Sequence, residues 1–342
     1  MIFKLTLLSF VFKFCYMPRR CRIEYSGAIY HVINRGNYLM RVFATEGSKK
    51  SFELTLFQCC ERYNWILYAY CILDNHFHLA VETREPNLST GMQWLQSTFA
   101  KRYNNFRRKR GHLFQGRYKA LIVEQGEHFG SLLHYIHLNS VRSGLCDTSG
   151  LIEYRWHSLW YLFRRRRRPE YLDMSKCLGY AGNLADTREG RKRYLSYLDW
   201  VNENNSVRKK MKFEQMCYGW ALGTKEFKKE LVQDFSDNVE GDWVCGEEYS
   251  EIKDLYWDKL LQNCMNKLGK SPSDIKSDIK SALWKVMIAY YLKTRHGASN
   301  RWLSENLDMG TPAYVSQNIS EFEKSKGFKK KMYKNMIEKS KT

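Results

Sequence analysis

The sequence predicts an α+β fold followed by a mostly helical C-terminal region. Two observations carry this. Segments rich in β-branched and aromatic residues alternate with segments of helical spacing, in the order β-α-β-β-α-β, over the first half of the chain. The 342 residues, 44% hydrophobic and 15% aromatic, also supply apolar material for two domains or three.

Residues 28–34 (AIYHVIN) read as a strand that Arg35-Gly36-Asn37 ends in a turn. Residues 49–63 carry Phe52, Leu54, Leu56, Phe57 and Cys60 at helical spacing. Residues 65–73 (WILYAYCIL) and 76–82 (HFHLAVE) read as strands joined by the two-residue turn Asp74-Asn75. After Pro86, residues 88–106 read as a helix, 118–123 (YKALIV) as a fourth strand and 127–139 as a further helix. That order is the ferredoxin-like split βαβ unit, a four-stranded antiparallel sheet carrying helices on one face. It is expected to span residues 17–163.

Residues 164–168 are five consecutive arginines followed by Pro169, the mark of a solvated linker or a phosphate contact. Residues 164–250 are expected to form a basic linker and helical region, and 251–342 a helical domain. Within the latter, residues 283–322 read as a helix, Gly297, a short helix, a turn at Met309-Gly310 and a further helix from Thr311. This is a helix-turn-helix pattern.

The formal net charge is +20 with a pI near 9.4, which favours a polyanionic partner, nucleic acid before membrane surface. The ten cysteines form no C-x-x-C pair, which argues against a zinc ribbon or finger. Scattered thiols suit a reducing compartment, hence a cytoplasmic location. The apolar run in residues 1–16 is interrupted by Lys13 and is too short to span a bilayer. It reads as a non-core extension before a natural start at Met17, and no membrane association is expected.

His76 and His78 sit two apart on a strand, so both imidazoles project from one face while Phe77 turns to the other. Two imidazoles so placed can clamp one divalent ion, or can be polar residues on a solvated face. Tyr135 and Asn139 are four apart on a helix and share a face. A phenol attacking phosphate needs charge neutralisation by a metal, and an amide carbonyl one turn away could help to hold it. The alternative is a core tyrosine with a capping asparagine. His137 lies about 200° around the helix from Tyr135 and is expected to face away. His31 reads as structural, and His134 as a neighbour of the site without an assigned role.

Four segments occur in order: residues 27–37 (GAIYHVINRGN), 75–79 (NHFHL), 115–119 (QGRYK) and 135–145 (YIHLNSVRSGL). Together they resemble the REP-associated tyrosine transposases, a branch of the HUH single-tyrosine (IS200-like) transposases. The resemblance covers roughly residues 17–163 and implies the HUH transposase fold. It implies that His76 and His78 are the metal-binding pair, Tyr135 the nucleophile and Asn139 the third ligand, with Mg²⁺ or Mn²⁺ as the ion. It further implies cleavage of single-stranded DNA beside a hairpin through a 5′-phosphotyrosine link, with no nucleotide cofactor. Ser140 stands where the family usually has proline, which would end the helix just past the ligand.

Residues 101–120 contain eight Lys or Arg and no acidic residue, with Tyr103, Phe106, Phe114 and Tyr118 interleaved. Cations that track phosphates and aromatic faces that stack on bases suit single-stranded or hairpin DNA. Arg107, Arg108, Arg110, Arg117, Lys119 and, from the first turn, Arg35 are the candidate DNA contacts. A basic solvated helix with core aromatics is the other reading. Residues 289–319 resemble the helix-turn-helix of the DnaA initiator's DNA-binding domain, with 303–307 and 314–319 as its two helices. A plain helical bundle is the alternative.

The leading functional expectation is a DNA strand transferase, as monomer or homodimer. A catalytically inactive DNA-binding protein and a helix-turn-helix transcription regulator are the alternatives.

Overall fold

The computed structural model describes residues 23–235 and 250–338; the extension at residues 1–16 and the start at Met17 lie outside them. The described chain forms two compact units, residues 23–235 with 250–270, and residues 271–338.

The first unit is built on strands β1 (Ala28–Arg35), β2 (Trp65–Ile72), β3 (His76–Thr83) and β4 (Lys119–Val123). They are antiparallel in the order β2-β3-β1-β4, as the split βαβ reading requires. Helices α1 (Glu46–Tyr63) and α2 (Leu88–Arg107) cover one face of the sheet. Thr45 caps α1 by accepting a hydrogen bond from the Ser48 amide, and Asn64 in the left-handed region turns the chain into β2. Gly91 lets α2 approach the sheet, because a Cβ there would lie 2.2 Å from the Trp65 ring. Phe52, Phe77 and Phe99 fill the space between, all fully buried, with Phe52 and Phe77 centroids 4.6 Å apart.

Two features differ from the sequence expectation. Helices are not confined to one face. Helix α3 (Glu127–His137) lies on the opposite side, where Phe129 packs edge-on against Tyr68 of β2 at 4.9 Å. The sheet is also five-stranded and mixed. Strand β5 (Ala221–Leu222) adds to β4 in parallel, with Ile122 opposite Ala221 and Val123 opposite Leu222. Two residues carry no readable alternation, so only the path of the preceding chain decides that pairing.

The unit continues well past residue 163. It includes α4 (Asn139–Arg142), α5 (Ser175–Gly179), α6 (Arg188–Glu203), α7 (Asn205–Lys210), α8 (Lys225–Phe235) and α9 (Ser250–Lys267). The arginine run forms a short 3-10 turn tied into this unit rather than a free linker. Arg164 lies over Trp160 at 4.3 Å and donates to the Ile152 and Trp160 carbonyls. Arg168 pairs with Asp186 at 3.0 Å. Arg165, Arg166 and Arg167 are the exposed members of the run.

The second unit holds α10 (Pro272–Ser277), α11 (Leu283–His296), α12 (Asn300–Asn306), α13 (Pro312–Lys324) and α14 (Phe328–Glu338). Its core contains Met287, Leu292, Leu303, Leu307, Met309 and Val315. Thr311 caps α13 by accepting from the Tyr314 amide, with Pro312 in the first turn. Val315, Ile319 and Phe322 face the core, while Ala313, Tyr314, Ser316 and Gln317 are exposed. No helix among the described residues is long and apolar enough to cross a membrane.

Candidate active site

Strand alternation sends Phe77 toward α1 and α2, and His76 and His78 to the face that α3 covers. The two imidazole centroids are 5.0 Å apart. Tyr135, on α3, brings its ring to 5.7 Å from His78 and 6.0 Å from His31. His31 belongs to β1, which pairs with β3 so that Ile33 faces His78 and Arg35 faces His76. Strand, neighbouring strand and helix thus converge on one cluster.

Hydrogen bonding in this cluster determines its protons. The His31 Nδ1 lies 2.9 Å from the Met216 carbonyl, which can only accept, so His31 donates there and its Nε2 keeps a lone pair. His78 Nδ1 lies 3.0 Å from that Nε2 and must therefore donate to it. The lone pair of His78 is left on Nε2. His76 Nδ1 donates to Asn75 Oδ1 at 2.6 Å, which leaves its lone pair on Nε2 as well. Burial is the main cause holding both site imidazoles neutral. His76 is lowered to about 4, with the Arg35 charge adding, and His78 lies well below the usual histidine range.

Tyr135 is 6% exposed, and its hydroxyl meets Cys217 Sγ at 3.1 Å. Burial first, then Cys217, raises its pKa above the ordinary tyrosine value, while Arg142 opposes the shift. The Arg142 guanidinium sits 4.7 Å from the Tyr135 ring centroid and 5.7 Å from that of Phe213. Phe213 in turn packs edge-on against Tyr135 at 5.5 Å.

Asn139 opens α4 and is 4% exposed, and its amide nitrogen has no hydrogen-bond partner among the described residues. The helix end is held by backbone bonds, Ser143 N to Asn139 O at 3.0 Å and Leu145 N to Ser140 O at 2.9 Å. Ser140 thus takes part in a closed turn without the help of proline. Among the described residues no three His, Cys, Asp or Glu are grouped to hold a metal, and neither site imidazole is hydrogen-bonded to Asn139. The residues still fit a divalent cation. Two neutral imidazoles each keep an Nε2 lone pair. A buried amide whose nitrogen bonds to nothing loses nothing by turning its oxygen to an ion.

The sequence reading missed His31 as a member of the site, and missed Arg142, Phe213, Met216 and Cys217. Arg142 could have been found as the residue three after Asn139 on a short helix. The others follow from long-range folding alone. His137 faces away from Tyr135, as its position around the helix requires: Nδ1 meets the Tyr194 hydroxyl at 2.8 Å and Nε2 meets Ser158 Oγ at 3.0 Å. His134 also bonds Tyr194, at 3.1 Å.

The basic stretch divides in two. Phe114 and Tyr118 are buried at 8% and 6%, so they serve the core rather than bases. Phe106 is 83% exposed, and Arg107, Arg108 and Arg110 are exposed beside it. Arg35 and Arg117 are exposed and Lys119 half-buried. Tyr38, on the turn after β1, is 93% exposed, and both it and Leu39 have positive φ, a conformation costly for these side chains. That turn is tied to the end of the basic stretch by Asn37 N to Leu113 O at 2.9 Å and Gln115 N to Arg35 O at 2.8 Å.

A group of neutral buried histidines lies on the far side of α3. His134 is lowered to about 4 and His157 to about 3, each mainly by burial, and His137 lies well below the usual range for the same cause. In the unfolded chain these rings take up protons below about pH 6.5. Their contribution to stability is therefore complete above pH 6.5 and is lost as pH falls from there toward 4. The loss is up to about 1.4 kcal/mol per pH unit for each ring. Thermal melts should fall steeply over that window; a flat melting temperature from pH 7 to 4.5 would contradict this account.

The split βαβ sheet thus carries two imidazoles on the face that α3 and its Tyr135 phenol cover. Residues 24–139 match the family model described as Transposase IS200 like, so over that stretch the chain resembles the IS200-like transposases. Among solved structures, a similar one is the REP-associated tyrosine transposase bound to a REP hairpin. The match is at 14% identity with a TM-score of 0.36, over 44% of this chain and 87% of that one. No curated protein matches.

Proposed function

We propose that this protein is a metal-dependent single-strand DNA endonuclease and strand transferase with Tyr135 as nucleophile. The observation that carries the reading is the convergence of Tyr135 with His76 and His78 within the stretch that matches the transposase family. The Tyr135 oxygen attacks the scissile phosphate, forming a 5′-phosphotyrosine bond as the P–O bond to the 3′ oxygen breaks. That oxygen leaves as a 3′-hydroxyl. Attack by another 3′-hydroxyl on the phosphotyrosine reverses the step, rejoins the strands and frees the phenol. No net oxidation occurs and no nucleotide is consumed.

His76, His78 and the Asn139 amide would hold Mg²⁺ or Mn²⁺. Once bound, the ion polarises the scissile phosphate and offsets its charge. The remaining work falls to the chain. Burial makes the phenol a reluctant acid, and the Arg142 cation over its ring favours the phenolate. His31 fixes the tautomer of His78. The exposed arginines 35, 107, 108, 110 and 117, with Lys119, would follow the DNA backbone, and Tyr38 and Phe106 offer ring faces to unpaired bases. A reducing, cytoplasmic setting suits the free buried thiols.

The test is incubation with labelled single-stranded hairpin DNA and Mn²⁺, read as a covalent protein–DNA adduct on a denaturing gel. Binding without any adduct would favour an inactive DNA-binding protein. The exposed polar face of α13 supports one further reading, duplex recognition by residues 271–338, which would show as hairpin-independent duplex binding. For the basic stretch, changing Arg107, Arg108 and Arg110 together to alanine should flatten the salt dependence of hairpin binding by about 2 in log–log slope. An unaltered slope would remove these residues from the interface.

A further inference from the structure

A cleft of about 380 Å³ opens beside the nucleophile, lined by α4, the end of α6, α7 and the turn at Phe213. Its cations are Arg142, Arg208 and Lys209; its neutral polar groups are the Asn202 and Asn205 amides; Glu214 is its acidic residue. Phe213 forms part of the wall and also packs edge-on against Tyr135. Arg142 belongs to both places, in the cleft lining and over the Tyr135 ring. All the lining, Arg142 and residues 202–214, lies beyond the stretch 24–139 that matches the transposase family.

We propose that this cleft binds the single-stranded nucleotide that flanks the scissile phosphate. The inference rests on the strand-transferase reading and adds a subsite to it. Three observations carry it. The volume lies within the range of small-ligand pockets, about 300–1,000 Å³, and admits one nucleotide. The lining is cationic and amide-rich, with three cations against one carboxylate, so it matches a phosphodiester with a base that offers donors and acceptors. Two of the cations are held in place beforehand. Arg208 donates to the Asn202 carbonyl, and Arg142 is laid over two rings. A guanidinium already positioned loses little freedom on binding phosphate. Because Arg142 reaches both the cleft and the phenol, a strand held in the cleft presents its next phosphate to Tyr135.

The experiment compares two DNA hairpins, one blunt and one with single-stranded extensions on both sides. Binding of each to wild type and to an Arg208→Ala/Lys209→Ala variant is measured by fluorescence anisotropy over a range of salt. The variant should bind the extended hairpin about tenfold more weakly near 0.1 M salt, with a log–log salt slope reduced by about 1. The blunt hairpin should be unaffected. Lys209→Glu alone, at an exposed position that leaves the Arg208 contact in place, should show the same selectivity. Equal weakening on both hairpins, or none on either, overturns the pocket. Tighter binding of the RNA version of the extended oligonucleotide overturns its assignment to DNA. Failure of wild type to bind any hairpin would instead overturn the reading on which the pocket rests.

Discussion

Tyr135→Phe is expected to abolish the covalent protein–DNA adduct and to lower hairpin cleavage by at least about 10³-fold, the scale on which loss of a nucleophile is felt. Binding of the same hairpin should be nearly unchanged. The substitution removes one oxygen and its contact with Cys217, a loss of about 1 kcal/mol, so the fold is retained. The ring also stays in place against Phe213 and beneath Arg142. Adduct and affinity measured on one preparation therefore separate chemistry from binding. Equal cleavage by both proteins would move the nucleophile elsewhere, to Tyr103 or Tyr118 in the first instance.

The second large effect concerns the histidines. His78→Ala removes a proposed ligand and should reduce Mn²⁺ affinity, read by calorimetry or by the EPR signal of free Mn²⁺ without DNA, beyond ready measurement. His31→Phe should weaken binding about 10- to 100-fold although His31 would not touch the ion. In wild type the Met216 carbonyl requires the His31 proton on Nδ1, and His31 in turn requires the His78 proton on its own Nδ1. Phenylalanine offers no acceptor, so His78 is free to carry its proton on Nε2, where a metal cannot bind. His31→Gln returns an acceptor and should recover part of the loss. Nitrogen-15 NMR of the imidazoles should show the tautomer of His78 altered in His31→Phe and retained in His31→Gln. Wild-type affinity in His31→Phe would show that the chain of hydrogen bonds has no bearing on the site.

The elements of the sheet were legible because each is encoded over a few neighbours. Alternation in HFHLAVE marks β3 and places His76 and His78 together. The helix that carries Tyr135 was legible too, but it ends at His137 rather than running through Asn139, which opens the next short helix. The order of elements was enough to anticipate a four-stranded antiparallel sheet of the split βαβ kind, which β1 to β4 form. The three helices between residues 283 and 324 were likewise visible in apolar spacing, Gly297 and Thr311-Pro312. The aromatics of the basic stretch were not separable by spacing. Burial sent Phe114 and Tyr118 inward and left Phe106 outside, a choice made by the space between sheet and helices.

By itself, then, the sequence determined the alternation of elements, the pairing of residues within each face and the basic character of the chain. Tertiary structure alone decided which side of the sheet α3 would cover, the addition of β5, and the lining of the site by Phe213, Met216 and Cys217. His31 meets Met216 across 185 residues and Tyr135 meets Cys217 across 82. Contacts at that separation leave no periodic trace, because side-chain periodicity records only the geometry of one strand or one helical turn. They form when burial of the sheet's second face and the satisfaction of buried polar groups select one path for the returning chain.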